Sequence, residues 1–290
     1  MIKASAPAKV NLYFAVGPIR EDGYHEVCSV YLSLNLREFV SVEYSDKPQI
    51  TIMGTLSQDE LESVPTDESN LAAKAGRAIT DRPLRFEITK NVPVAGGMAG
   101  GSADAAAALV ATMTLAEVTD FKDAVSLGAD IPFAIAGGVA VGLGVGEVLT
   151  QVAFPGELHV VLITNPMGLS TGQVYATLDK LREQENLEPE SLPLVPTELL
   201  SALESANISE VARMAHNDLQ RAALWLRPEL QETIDLAITH GALTAMVSGS
   251  GPTIFAIAES LESAQKIAAA FPHGRALVTS GPGLPARLEN

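Results

Sequence analysis

The chain reads PVAGGMAGGSAD over residues 93–104, after a strand-like run at 84–89 and before an alanine-rich helix pattern. Glycines occupy positions 96, 97, 100 and 101. Glycine loses more backbone entropy on folding than other residues, so such a cluster needs a geometric reason. Close approach of backbone N–H groups to an anion is one reason, and the N-terminus of the next helix adds unpaired donors. The stretch predicts a phosphate-binding loop, with a purely structural strand-to-helix turn as the alternative.

The loop differs from two common nucleotide-binding patterns. No Lys-Ser or Lys-Thr pair follows the glycines, as a P-loop requires, and the glycine spacing is not that of the dinucleotide fingerprint. The loop therefore predicts phosphate binding without defining a reaction.

Composition excludes several classes of protein. The chain of 290 residues carries 35 acidic and 19 basic residues, a formal net charge of −16, which argues against a nucleic-acid partner. Cys28 is the single cysteine, so no internal disulfide forms, as is usual in a reducing cytoplasm. No apolar signal core follows Met1, and Ser248–Pro252 interrupts the longest uncharged run, 236–258. We expect a cytoplasmic protein that does not cross a membrane.

Strand and helix patterns alternate irregularly, which predicts an α+β fold. The predicted strands are 2–17, 27–34, 38–44, 49–53, 84–89, 138–144, 147–153, 158–164, 242–247, 253–258 and 276–279. The main predicted helices are 70–79, 102–115, 171–182, 228–239 and 261–271, with a polar loop at 54–68 and two short helices before His216. A short helix after Asp130 would take that residue as its N-cap. The Pro155-Gly156 pair marks a boundary between domains 1–154 and 155–290.

Three motifs occur in the order and spacing of those of the GHMP kinase superfamily, which this chain resembles over nearly its full length. They are PAKVNL at 7–12, the glycine-rich loop at 93–104 and VSGSGP at 247–252. Further matches are DGYHE at 22–26, GADIPF at 128–133, GE at 146–147 and NDL at 217–219. These resemble the superfamily members that act on 4-diphosphocytidyl-2-C-methyl-D-erythritol.

The resemblance implies a two-domain GHMP kinase fold. Its N-terminal domain would be like domain 2 of ribosomal protein S5, and its C-terminal domain would be ferredoxin-like. The implied reaction is phosphorylation of the 2-hydroxyl of that cytidyl substrate by ATP with Mg²⁺, in non-mevalonate isoprenoid biosynthesis. We expect a monomer or a weak homodimer.

The resemblance also assigns roles to residues. Asp130 would accept the proton of the substrate hydroxyl, and Lys9 would lie beside Asp130 and the γ-phosphate, where its charge favours the ionised carboxylate. The Ser102 hydroxyl would be the protein ligand of Mg²⁺, and Ser248–Gly251 would close over the site. The predicted ATP-binding residues are Pro93, Val94, Ala95, Gly96, Gly97, Met98, Ala99, Gly100, Gly101, Ser102 and Ala103.

Residues from both domains would bind the acceptor substrate. His25 would hydrogen-bond the cytosine edge, while Tyr24 and Tyr175 would be its aromatic partners. Asn11 and Thr171 would contact the methylerythritol or phosphate end.

The loop departs from the usual family pattern at position 99, where many members have a glycine. Because alanine has a Cβ, we predict a negative φ for Ala99. Two other functions fit the motifs: a GHMP kinase that acts on homoserine, mevalonate or a sugar, and a non-catalytic nucleotide-binding protein on the same scaffold.

Overall fold

Two long antiparallel strands at the start of the chain form the centre of the larger sheet. The computed structural model describes residues 1–94, 96–121, 123–165, 167–189 and 192–290, and in it β1 spans Ile2–Ile19 and β2 spans His25–Tyr44. The sequence predicted two strands where β2 is continuous. Pro7 lies at a shift in the β1–β2 register, and the pairing continues beyond it.

The remaining elements follow the predicted α+β order. The other strands are β3 (Gln49–Gly54), β4 (Leu84–Lys90), β5 (Val139–Leu143), β6 (Val148–Gln151), β7 (Leu158–Ile163), β8 (His216–Asn217), β9 (Thr244–Val247), β10 (Ile254–Ala258), β11 (Ala276–Gly281) and β12 (Arg287–Leu288). The helices are α1 (Gln58–Ser63), α2 (Leu71–Ile79), α3 (Gly100–Ala116), α4 (Ala124–Leu127), α5 (Ile131–Ala136), α6 (Thr171–Glu185), α7 (Thr197–Glu204), α8 (Ile208–Met214), α9 (Leu219–Leu226), α10 (Glu229–Thr239) and α11 (Leu261–Ala268).

Two helices were not predicted from the sequence. Helix α1 lies in the expected loop at 54–68, where Ser57 and Glu60 form a capping box but no helix residue is buried. Helix α9 follows the NDL motif and buries Leu219, Ala222 and Ala223. Their hydrophobic patterns are short, and local capping and tertiary packing determine where they form.

The strands of the described residues form two sheets. In the larger one the order is β12-β1-β2-β4-β3, with β5 beside β2, β6 beside β5 and β8 beside β1. The smaller sheet has the order β11-β7-β10-β9 and is antiparallel throughout. Numbered along the chain, its strands lie in the order 4-1-3-2, the ferredoxin-like arrangement that was predicted.

The hydrophobic core continues between the sheets. Val10 of β1 and Leu32 of β2 belong to the same buried cluster as Leu162 of β7 and Phe255 of β10. Alternate residues of β10 point to the opposite face of the sheet. Ala256 therefore packs into a different buried cluster, which lies under the C-terminal helices. The two faces of β10 thus connect the cores.

Helix α3 places the glycine-rich loop. Its residues Ala103 to Leu109 are all buried, and small side chains let the helix lie close to β1 and β2. The alanine-rich pattern after the loop is therefore explained by packing as well as by helix propensity.

A buried ionic cluster joins α3 to the sheet. The Lys90 Nζ of β4 lies 2.5 Å from Glu38 Oε1 of β2 and 2.6 Å from Asp104 Oδ2 of α3. Glu38 also accepts the backbone N–H groups of Asn91 and Val92, directly before the glycine-rich loop. The cluster therefore fixes both ends of that loop.

The buried cluster contains two carboxyl groups, Glu38 and Asp104, and a single cation, Lys90, to balance their charge. Burial raises the pKa of Asp104 to about 7, Lys90 opposes the rise and the charge of Glu38 adds to it. Its Oδ1 atom is buried and has no hydrogen-bond partner among the described residues. The folded protein therefore retains a proton that the unfolded chain releases at lower pH.

We predict that this proton makes the free energy of unfolding fall as pH rises from about 4 to about 7. Asp104→Asn should remove this part of the pH dependence, a difference on the order of 1 kcal/mol for each unit of pKa shift. Melting temperatures at pH 5 and pH 8 would measure it. Asp235→Asn, on the exposed side of α10, is the matched control. Equal pH dependence in Asp104→Asn and wild type would contradict the assignment.

Candidate active site

A cleft of about 710 Å³ lies between the larger sheet and the C-terminal domain. It brings together the predicted catalytic residues and all the predicted acceptor-binding residues. These are Lys9, Asn11, Tyr24, His25, Asp130, Thr171 and Tyr175. They come from β1, the β1–β2 turn, the start of β2, the residue before α5 and helix α6, so the fold gathers residues that are far apart in sequence.

Lys9 lies at the inner end of this cleft with its side chain largely buried. Its Nζ donates to Asn11 Oδ1 at 2.8 Å and to the carbonyl of Gly97 at 3.2 Å, and lies 3.9 Å from Asp130 Oδ2. Asn11 is held in turn by its own donation to Ser29 Oγ at 2.8 Å. Asn11 was predicted to contact the acceptor, and in this structure its amide orients the lysine.

Asp130 precedes α5, as predicted, but its carboxylate does not cap that helix. The residue has φ −84° and ψ −9°, and no side-chain cap hydrogen bond forms. Asp130 therefore takes the predicted N-cap position without the side-chain hydrogen bond of a cap. A helical backbone conformation at Asp130 turns the side chain away from the first N–H groups, and the carboxylate lies beside Lys9 on the cleft.

The glycine-rich loop separates this cleft from a second one of about 320 Å³. Gly97 and Ala99 line both, and Ser102 lines the first. The other residues of the 93–104 stretch on the second cleft are Pro93, Val94, Gly96, Met98, Gly100, Gly101 and Asp104. Ala103 is fully buried and donates its N–H to the Ala99 carbonyl, while Ala95 lies outside the described residues.

The N-terminus of α3 offers donors to an anion. The first N–H groups of a helix have no partner within it, and no side chain caps this one. The helix is 17 residues long and its dipole adds a partial positive charge. The geometry thus fits the predicted phosphate-binding loop.

Ala99 does not have the negative φ that we expected. Its φ of 57° and ψ of 33° are left-handed, and it occupies the N-cap position of α3. This conformation costs an alanine about 1–2 kcal/mol, which the surrounding packing must offset. A glycine at this position would adopt the conformation without that cost.

The VSGSGP loop packs directly on the glycine-rich loop, as the resemblance implied. Ser248 Oγ donates to the Gly97 carbonyl at 3.1 Å, and Thr171 Oγ1 lies 3.0 Å from Ser250 Oγ. Asn217 of the NDL motif donates to the carbonyls of Val247 and Gly249, both at 2.8 Å. The NDL motif therefore holds the second loop against the first.

Aromatic side chains form the other end of the cleft. The rings of His25 and Tyr175 lie 4.9 Å apart at 32°, and His25 Nε2 lies 3.0 and 3.1 Å from the two oxygens of Asp179. Tyr24 is 64% exposed at the cleft rim and is free to pack on a ligand. Burial, together with the charge of Asp130, raises the pKa of Tyr175, so its hydroxyl stays protonated at neutral pH.

Tyr31, which was not predicted from the sequence, lines the cleft and is buried against Phe133. Tyr31 lies opposite Asn11 in the β1–β2 register, and a prediction of that register from the sequence would have placed it at the site. A Cβ at Gly146 would lie 2.2 Å from the Tyr31 hydroxyl, which explains the glycine of the GE motif. Asp179 was also missed, although it follows Tyr175 by one helical turn.

Within the described ranges, no three His, Cys, Asp or Glu side chains are placed to hold a metal ion. In the same part of the chain, no helix is long and apolar enough to span a membrane.

Comparisons with known proteins show the family to which the chain belongs. The family models of the GHMP kinases N terminal domain and GHMP kinases C terminal match residues 69–144 and 199–274. The 4-diphosphocytidyl-2-C-methyl-D-erythritol kinases of Pseudarthrobacter chlorophenolicus and Paenarthrobacter aurescens are 41% and 43% identical to this chain. Each alignment covers 99% of this chain, with 94% of the first relative and 95% of the second.

A solved structure gives the same result. The crystal structure of a 4-(cytidine 5'-diphospho)-2C-methyl-D-erythritol kinase is 32% identical and superposes with a TM-score of 0.74. The match covers 97% of this chain and all of that one.

We predict that Gly97→Ala destabilises the protein strongly. Gly97 has φ +73°, and a Cβ there would lie 2.2 Å from the Ser248 carbonyl oxygen, so the two loops would have to separate. The left-handed conformation alone costs about 1–2 kcal/mol, and the melting temperature should fall by several degrees. Gly101→Ala is the control, because its Cβ would meet Leu71 Cδ1 at an ordinary 3.4 Å. Similar melting temperatures for both variants would contradict this account of the loop contact.

Proposed function

The chain belongs to the GHMP kinase family, and we propose that it transfers the γ-phosphoryl group of ATP to the 2-hydroxyl of 4-diphosphocytidyl-2-C-methyl-D-erythritol. The observation that carries the proposal is the pairing of Lys9 with Asp130 where the cleft meets the glycine-rich loop. A phosphoryl acceptor needs a base, and a phosphoryl donor needs positive charge nearby. Both groups are present at one point, and an aromatic pocket lies at the other end of the same cleft.

The reaction places different demands on the two residues. Asp130 accepts the proton of the acceptor hydroxyl as its oxygen bonds to the γ-phosphorus and the bond to the ADP oxygen breaks. Lys9 stabilises the negative charge that spreads over the transferred group. Its bonds to Asn11 and to the Gly97 carbonyl fix its position before the substrates bind.

The phosphates of ATP would bind the backbone donors of the loop and of the α3 N-terminus. A Mg²⁺ ion would supply positive charge that neutralises the phosphates. Mg²⁺ commonly takes one or two protein ligands, with waters and phosphates completing its coordination. The Ser102 hydroxyl on the cleft fits that limited role.

Substrate selection would lie in the aromatic end of the cleft. His25 and Tyr175 are held together there, and Tyr24 lies at the rim. Thr171 and Ser250 lie nearer the loops, where they would meet the phosphate end of the acceptor.

The first experiment is ADP release with ATP and Mg²⁺, comparing the cytidyl substrate with homoserine and mevalonate as acceptors. Turnover with the cytidyl substrate alone is the expected result. Turnover only with another acceptor would overturn the substrate assignment and keep the Lys9–Asp130 chemistry. ATP binding with no turnover on any acceptor would indicate a non-catalytic protein.

Asp130→Asn should lower kcat by about 100-fold or more, because a general base contributes 10²–10⁴-fold. Its dissociation constant for ATP should change little, since Asp130 lines the acceptor cleft and is absent from the lining of the second cleft. Steady-state kinetics and ATP titration would measure both quantities, with Asp235→Asn as the control. A kcat within tenfold of wild type would exclude Asp130 as the base.

His25→Ala should raise KM for the cytidyl substrate far more than KM for ATP, because the residue lies at the aromatic end of the acceptor cleft. Initial rates with each substrate varied in turn would separate the two constants. Equal changes in both would remove His25 from the cytosine pocket.

A further inference from the structure

Helix α6 presents three side chains to the cleft at intervals of one turn. Thr171, Tyr175 and Asp179 lie at positions i, i+4 and i+8, and all three line it. Residues four apart on a helix share one face. Tyr175 and Asp179 both contact His25, which comes from the N-terminal domain.

The contact between Asp179 and His25 determines which ring nitrogen of His25 carries the hydrogen. His25 Nε2 is within 3.1 Å of both carboxylate oxygens of Asp179, and an ionised carboxylate only accepts hydrogen bonds. Nε2 must therefore carry the hydrogen. In a neutral imidazole the other nitrogen, Nδ1, is then an acceptor.

Nδ1 remains available to a ligand. In the described part of the chain, no hydrogen bond to His25 Nδ1 is present. The side chain is only 6% exposed, with Tyr175 against the ring and Nε2 paired with Asp179, so Nδ1 is the polar ring atom left for a molecule bound in the cleft.

We propose that Asp179 is a positioning residue that sets the base specificity of the cleft by holding His25 as an acceptor at Nδ1. This inference rests on the proposed function, in which a cytidyl group occupies the aromatic end. Cytosine carries an amino donor where uracil carries a carbonyl acceptor. The Nδ1 acceptor can receive a hydrogen bond from the amino group of cytosine. The carbonyl of uracil would place a second acceptor against Nδ1 with no hydrogen between them, which is unfavourable in a buried site.

The test compares binding of CMP and UMP by calorimetry at mildly alkaline pH, where histidine side chains are ordinarily neutral. Wild type should prefer CMP. Asp179→Asn keeps a polar group of the same size, but its amide can either accept from Nε2 or donate to it. The preference for CMP over UMP should therefore fall by about tenfold or more, an effect on the scale of one hydrogen bond to a substrate group.

Two further variants separate positioning from general structural or charge effects. Asp179→Glu keeps a carboxylate and should retain most of the preference. Glu183→Gln removes the same charge from an exposed position one turn further along α6 and should behave as wild type. An unchanged CMP to UMP ratio in Asp179→Asn, or no CMP preference in wild type, would overturn the proposal.

Turnover is measured separately, so that the two proposals fail differently. If the protein prefers CMP, Asp179→Asn removes that preference and the cytidyl substrate is not phosphorylated, the role of Asp179 would stand and the proposed reaction would be excluded. If the protein phosphorylates the cytidyl substrate and Asp179→Asn leaves the ratio of CMP and UMP affinities unchanged, the proposed reaction would stand and the positioning role of Asp179 would be excluded.

Discussion

The carbonyl oxygen of Gly97 accepts hydrogen bonds from two distant parts of the chain. Lys9 Nζ, 88 positions earlier, and Ser248 Oγ, 151 positions later, both donate to it, at 3.2 and 3.1 Å. A buried lysine is unfavourable without partners, and this carbonyl supplies one of them. Because Gly97 has a positive φ and no Cβ, its backbone can approach Ser248 closely. The three motifs are therefore one structural unit that meets at a single peptide group.

Much of this arrangement was predictable from the sequence, because its signals are local. Alternating strands, the glycine cluster and the alanine-rich helix predicted the α+β fold, and the motif order led to the correct family. The errors lie where local preference and tertiary packing disagree. Ala99 adopts a conformation that alanine disfavours, and Asp130 occupies an N-cap position without capping. At both places the loop and the cleft constrain the backbone more strongly than residue type does.

Other features could not be predicted because they depend on pairing between elements. The cluster of Glu38, Lys90 and Asp104 joins two strands and a helix, and no short motif contains all three. Asp179 acquires its role from its contact with His25. Tyr31 needs the β1–β2 register to be placed opposite Asn11. Contacts of this kind are set by topology, which sequence periodicity alone does not define.

The two clefts share Gly97 and Ala99 but are otherwise lined by different residues. A molecule in the aromatic end of the larger cleft does not occupy the space beneath the glycine-rich loop. The two clefts can therefore hold separate parts of a ligand pair that meets at Gly97 and Ala99. Under the proposed function, an inhibitor built only for the aromatic end would compete with the acceptor and with cytidine nucleotides, while the cleft of the glycine-rich loop would stay open to ATP.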